Sequence, residues 1–439
     1  MLVLLRSFKN IFLIPDLRQK VFYVFGVLAV FRFGMHVPLP GINTVMLKQF
    51  MSTSLVGGLF NYLQLVSGGA LQQAAIFGLA MSPYITASIM MQLLTIMTPT
   101  LEALAKEGEH GRRIINQYTR YLALGLSLVQ GFAFVAVLER QEGLILEPGW
   151  GFRLTSILML SVGSMFVMWL GEQISAHGLG GSGSSFIIFA SIVCNLPGAI
   201  LKLINSVSLG QMSPILALFI VFFTAVIISC IVFLERGERR IPVQYAKRIV
   251  GHKVYGGVTS YIPFKLNSAG VVPIIFAGTI LTMPMLLINA LASKYPSFLW
   301  LSEFFAYGGL VNNLITIGLI IFFAFVYTAI IFNPVELAEN IRKSGGYIPG
   351  IHPGKKTAAF FDYVLTRVGF PGAVYLATLA ILPRVVSSVF TFPVAIEGIS
   401  LLITVGVALD LSSQLESTLI ERNYEGFLAT GKRLKGRNG

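Results

Sequence analysis

From residue 21 onward the chain is a series of continuous apolar blocks separated by polar segments. The blocks show neither the alternation of a half-buried strand nor the single apolar stripe of a soluble helix. Their length matches the roughly 20 residues an α-helix needs to cross the hydrocarbon core of a bilayer. Ten spans are predicted, at 21–38, 74–97, 118–138, 154–171, 186–205, 214–234, 269–292, 314–332, 368–388 and 393–411. The fold class expected is therefore an all-α polytopic membrane protein with ten transmembrane helices. Continuous rather than alternating blocks exclude a β-barrel. The fifth span is the most interrupted, because "GLGGSGSS" precedes it and Pro197 falls inside it. It is kept as one broken helix, since neighbouring helices can resatisfy the carbonyl that a proline frees.

One apolar block is too short to span. "GGLFNYLQLVSGG", residues 57–69, holds an apolar core from Leu59 to Val66 between two glycine pairs. Leu59, Phe60, Leu63 and Val66 form its apolar face, and Gly57, Gly58, Gly68 and Gly69 give permissive backbone at both ends. Two readings stand: a half-helix re-entering at membrane depth and enclosed by protein, or a helix lying in the interface.

Composition and charge sharpen this picture. The 439 residues are 55% hydrophobic and only 12% charged, with mean hydropathy +0.78. The formal net charge is +13. Of the 32 Lys and Arg, Arg32 sits inside the first span; with Arg120, Lys202 and Arg384, near the ends of their spans, counted to the side they adjoin, 25 fall on one side and 6 on the other. The positive-inside rule then puts both termini in the cytoplasm. Ten spans divide into two five-helix halves, and an odd number per half makes them inverted, a plan common in transport proteins. The second helix of each half carries prolines, Pro83 in one and Pro273 and Pro284 in the other. The predicted organisation is a cytosolic interfacial segment at 1–20, a first half at 21–205 and a second half at 206–411. Cytosolic loops at 235–268 and 333–367 and a cytosolic tail at 412–439 complete it.

Candidate chemistry changes the picture mainly by its scarcity. Membrane enzymes and ion-coupled transporters need ionisable groups at mid-depth, and the spans are almost bare of them. No His-Glu zinc pair lies in a span, and no Gly-x-Ser-x-Gly elbow or Walker loop occurs. No enzymatic role, metal or cofactor is expected. Cys194 and Cys230 lie inside apolar blocks and read as core residues. The large basic loops remain. Residues 235–265 alternate apolar and polar positions and read as a cytosolic hairpin. Residues 332–367 begin as a helix, turn at Gly345-Gly346 and expose "IPGIHPGKK". Loops of this length exceed what topology requires, so both are expected to be docking platforms for a large partner.

Six motifs in order, "GGALQQAAIFGLAMSPYITASIMMQLLT", "EGEHGRRIINQYTRY", "MWLGEQIS", "ERGERRIPVQYAKR", "LNSAGVVPIIFA" and "FNPVELAENIRKSGGYIPGIHPG", resemble the SecY family of protein-conducting channels. The similarity runs from the first span into the last. It implies two inverted halves around an hourglass pore that moves unfolded polypeptide across the bacterial cytoplasmic membrane and releases apolar segments sideways into lipid. It implies that 57–69 is a plug filling the outer funnel, and that Met81, Ile85, Ser184, Ile188, Ile275 and Ile403 form an apolar ring at the waist. Such rings can block ions by dewetting. The sequence departs from the family here: the glycine-rich stretch before the fifth span is one residue longer, and Ser184 stands where a branched apolar residue is usual.

The resemblance also implies a lateral gate for signal sequences, with Thr86, Gln92 and Asn267 as polar candidates for bonds across it; bonds within their own bundle are the alternative. Arg239, Arg240, Lys247, Arg248, His252 and Lys253 match the first basic docking loop, and His352, Lys355 and Lys356 the second. His352 takes the place of the family's usual Arg, so an always-charged donor becomes an imidazole. The implied partners are small membrane subunits resembling SecE and SecG, a SecA-type ATPase motor and the ribosome, with no nucleic acid beyond ribosomal RNA. Signal sequences, unfolded polypeptides and membrane lipids complete the set. A secondary transporter for a small solute is the alternative function.

Overall fold

The computed structural model describes residues 15–43, 46–47, 68–71, 73–139, 143–147, 149–178, 182–245, 248–250, 253–255, 259–292, 300, 309–390 and 398–429. Each of the ten predicted spans coincides with a helix among these residues. They are α1 (Pro15–Gly34), α2 (Ser82–Met97), α4 (Glu109–Leu138), α5 (Trp150–His177), α6 (Gly183–Ser208), α7 (Pro214–Arg236), α8 (Val272–Ala292), α9 (Leu310–Ile331), α11 (Lys355–Phe390) and α12 (Gly398–Ala429). Two short helices, α3 (Pro99–Lys106) and α10 (Pro334–Lys343), stand between spans. Seven of the described helices are long and apolar enough to cross a membrane, and α2 meets that measure only when taken with α3, from which it is bent by 100°. α1 falls short of that measure because Asp16, Arg18, Lys20 and Arg32 lie within its twenty residues.

The boundaries differ from the apolar blocks where other physics intervenes. α1 starts at Pro15, so residues 15–20 are helical and run without a break into the first predicted span. Proline suits a first helical position because its missing N–H is an orphan there anyway. α12 extends as helix past the predicted end of the last span to Ala429. α6 carries Pro197 inside one continuous helix. The second span departs most: its helix begins at Ser82, although the apolar block begins at 74. Residues 68–71 and 73–81 are a run of turns in which Ala74 and Ala80 have φ of 41° and 45°. Pro83 disfavours helical backbone in the residue before it and sits comfortably in a first turn. Pro273 likewise stands second in α8, after the turns at 266–271.

The chain divides into two compact units, one of residues 1–88, 116–195 and 407–439, the other of 89–115 and 196–406. In the first unit α1 packs against α5. Val24, Val27 and Phe31 of α1, Phe77 and Met81 of the turn run, Val167, Leu170 and Ile174 of α5, and Ile187 of α6 share one core. Non-helical backbone at membrane depth is tolerated only where protein satisfies it, and here its bonds can be traced. Leu39 N–H donates to the Ala74 carbonyl and Ile76 N–H to the Val37 carbonyl, both at 2.9 Å. Ala75 N–H donates to Ala70 at 2.9 Å and Gly78 N–H to Ala75 at 2.8 Å.

In the second unit α9 packs against both α8 and α11, and α7 against α11. Between α7 and α8 lie β1 (Glu238–Tyr245), β2 (Arg248–Val250), β3 (Lys253–Tyr255) and β4 (Thr259–Lys265). β1 and β4 pair antiparallel from Glu238↔Lys265 to Gln244↔Thr259, and β2 pairs antiparallel with β3. The expected hairpin is thus two antiparallel ladders, one nested in sequence within the other. A two-residue strand that the sequence pattern did not signal, β5 (Gly346–Tyr347), adds to the free edge of β1.

Candidate functional site

The apolar-ring candidates are distributed over both units. In the first, Met81 ends the turn run and is buried, and its carbonyl accepts from Ile85 N–H at 2.9 Å, one turn into α2. Ile188 is buried on α6, and Ser184 lies one turn before it on the same face. The Ser184 hydroxyl shares a 2.6 Å bond with Ser182, so this polar side chain is satisfied locally. In the second unit Ile275 lies in the first turn of α8, and Ile403 is buried on α12. Of the plug residues, Gly58, Leu59, Phe60, Leu63 and Val66 lie outside the described residues. Gly68 is described: its φ is 62°, and a Cβ there would lie 2.6 Å from Met35 Cε and 2.9 Å from the Ser191 carbonyl oxygen.

The polar gate candidates bond close to home. The buried Thr86 hydroxyl donates to the Ser82 carbonyl of its own helix at 2.9 Å, and Gln92 is exposed. Asn267 is buried, and its Nδ2 donates to Glu235 Oε1 at 2.6 Å, joining the foot of α7 to the turn that enters α8. Sequence reasoning missed this pair, although Glu235 is the first acidic residue of the basic loop. It also missed the bond between Arg120 and Glu172, in which Nε and Nη2 reach the two carboxylate oxygens at 2.9 Å each. That fork ties α4 to α5 within the first unit. The two residues lie in separate motifs whose proximity only the fold reveals.

The docking candidates rest on a core of their own. Ile241 and Val243 of β1, Phe264 of β4, Ala338 and Ile341 of α10, Ile348, and Phe361, Val364 and Leu365 of α11 form one buried cluster. Arg239 and Arg240, ahead of the alternating stretch of β1, are both exposed. Arg240 is paired with Glu238 at 2.6 Å, while Arg239 stands opposite Phe264 in the ladder. Arg248 and Lys253 belong to the β2–β3 ladder, and Lys247 and His252 lie outside the described residues. Beside β5 the chain turns at Gly345, with φ 70°, and encloses a cleft of about 510 Å³ lined by Arg342, Tyr347, Ile351 and His352.

His352 is exposed, and its carbonyl accepts from the Thr357 hydroxyl at 3.0 Å, which closes the tip onto α11. Lys355 and Lys356 lie in the first turn of α11, which contains no acidic residue. Cations at a helix N-terminus oppose the macrodipole and sum with it into a strongly positive patch. On α3, the Lys106 ammonium is held above its usual pKa chiefly by its hydrogen bond to Glu102. Their charge attraction and a smaller one from Glu336 of α10 act in the same direction.

The sequence model of the SecY family matches residues 75–412. The chain belongs to the SecY family. The protein translocase subunit SecY of Thermus thermophilus is 41% identical over 441 residues, covering 99% of this chain and 100% of that one. Among solved structures, one described as a protein-conducting channel matches with a TM-score of 0.65 at 19% identity, covering 93% of this chain and 94% of that one. Sec61 in a canine ribosome–channel complex from the endoplasmic reticulum matches with a TM-score of 0.62 at 18% identity, covering 93% and 94%. The fold is thus the SecY-type ten-helix fold, and the chain is a multi-pass membrane protein.

Proposed function

We propose that this chain is the channel subunit of a protein translocase, passing unfolded polypeptide across the membrane and releasing apolar segments laterally into lipid. The observation that carries this reading is the family match over 338 of its 439 residues, from 75 to 412, with full-length similarity to a SecY subunit. Met81, Ile85, Ile188, Ile275 and Ile403 carry the apolar constriction, with Ser184 as its one hydroxyl. Residues 57–69 act as the plug. Thr86, Gln92 and Asn267 belong to the lateral gate, where Asn267 can exchange its bond to Glu235 for one made during opening. Interhelical bonds of this kind contribute about 1–2 kcal/mol or less, which suits an element that must open.

The basic ladder and the His352 tip dock a partner that supplies the energy, since the chain has no nucleotide motif of its own. A SecA-type ATPase and the ribosome are the proposed docking partners, and small subunits resembling SecE and SecG the membrane partners. The resemblance of fold to Sec61 in a ribosome complex supports the ribosome in that role. The bias of 25 to 6 in Lys and Arg between the two sides supports cytoplasmic placement of both termini, and full-length similarity to a bacterial SecY subunit supports the bacterial inner membrane.

Reconstitution tests the reading. Proteoliposomes holding the channel and its small subunits, given motor, ATP and an unfolded secretory polypeptide, should accumulate protease-protected polypeptide. Gradient-coupled uptake of a small solute without any protected polypeptide would favour the transporter instead.

A further inference from the structure

We infer that Ser164, in the middle of α5, is a positioning residue for the constriction: its hydroxyl holds the backbone that aims Met81. The inference rests on the reading of Met81 as a ring residue. Met81 does not sit on a helix; it ends the run of turns from Gly68. The residue before it, Ala80, is buried and held at φ 45°. L-residues with a Cβ occupy that left-handed region at a cost and persist there only when surrounding structure imposes it. Turn bonds flank it, from Ala80 N–H to the Phe77 carbonyl at 2.9 Å and from Ser82 N–H to the Leu79 carbonyl at 3.1 Å, and one side chain reaches it from another element. The Ser164 hydroxyl donates to the Ala80 carbonyl at 3.0 Å, and both residues are buried.

This bond is unusual among the described residues. Helix hydroxyls in this chain typically donate back one turn, as Thr86 does to Ser82, Ser191 to Ile187 and Thr224 to Ile220. Such back-bonding is the ordinary way to satisfy a hydroxyl in an apolar helix. Ser164 instead reaches a residue 84 positions away. The residue beside it explains how the backbones come close enough: a Cβ on Gly163 would lie 2.2 Å from the Ile76 carbonyl oxygen. Two turns further along α5, a Cβ on Gly171 would lie 3.2 Å from Met81 Cε. One face of α5 therefore fixes the Met81 backbone at one level and leaves room for its side-chain tip at another.

The test uses the channel with its partner subunits in planar bilayers, with Met81→Cys as an internal control. Ser164→Ala should raise resting ion conductance roughly fivefold, the population change expected from losing one hydrogen bond of ordinary strength. Ser164→Thr, which keeps the hydroxyl, should stay near the unaltered channel. Glycine occupies the left-handed region freely, so Ala80→Gly added to Ser164→Ala should restore the seal, which a general loss of packing would not allow. Unchanged conductance in Ser164→Ala, while the Met81→Cys channel still crosslinks to a stalled translocating chain, overturns the positioning role alone. Absence of any such crosslink from Met81→Cys in an otherwise unaltered channel overturns the ring reading and this inference with it. Should Ser164→Ala fail to accumulate, the double variant decides: failure to recover both yield and seal contradicts the role assigned to the Ala80 conformation.

Discussion

Phe361→Ala should release the docking platform while leaving the spans intact. Phe361 is fully buried near the start of α11, and its ring lies 5.6 Å from that of Phe264 on β4 and 6.2 Å from that of Phe360. Among the described residues it belongs to a cluster with nine buried members, drawn from β1, β4, α10, α11 and Ile348. Truncating a buried Phe costs about 3–5 kcal/mol in lost transfer energy and residual cavity. A whole domain is stable by only about 5–15 kcal/mol, so a satellite core of this size should lose most of its margin. Membrane helices keep their backbone bonds within each span, so α7, α8 and α11 should remain helical.

Trypsin reports the local opening, because Arg239 and Arg240 lie on β1. If cleavage follows the population of opened platform, it should accelerate on the order of 10²–10³-fold, with circular dichroism nearly unchanged and partner docking lost. Cleavage within about twofold of the unaltered channel would refute the argument that this cluster holds the platform together.

Three further predictions concern the same surface and the plug. Lys355→Glu with Lys356→Glu should stabilise α11 by about 0.3–1 kcal/mol per residue through the macrodipole yet weaken motor-stimulated ATP hydrolysis. A fall in both thermal stability and stimulation would mean the lysines serve the fold. His352→Glu should impair ATP-dependent translocation and His352→Arg should preserve it; wild-type rates for His352→Glu at moderate salt would make the tip a plain solvated turn. Deleting residues 59–66 should leave translocation largely intact and raise resting ion leak, whereas an unchanged leak would favour an interfacial helix.

The spans were legible because a bilayer makes one dominant demand, a long apolar helix, and the sequence meets it openly. The hairpin was legible from the alternation through "RRIPVQYA". The start of α2 was not. Residues 74–81 are as apolar as a span, so hydropathy cannot distinguish them from helix; the available signal was Pro83, which marks a helix start as readily as a break. β5 is two residues long, below any periodicity. The bonds Asn267–Glu235, Arg120–Glu172 and Ser164–Ala80 join residues 32, 52 and 84 positions apart. Each of these residues has an ordinary local reading, as a loop polar group, a helix-end charge or a small helix residue. Only tertiary structure assigns the partner.

The central claim is that polypeptide passes through a constriction built from residues in several different spans. Single cysteines at Ile85, Ile188, Ile275 and Ile403, each in a channel engaged with a stalled, partly translocated polypeptide, test it most directly. Leu218 and Phe222, exposed on the apolar helix α7, serve as controls. Crosslinks to the polypeptide at all four positions and none at the controls are the predicted result. Crosslinks no more frequent at the four positions than at Leu218 and Phe222 would contradict it.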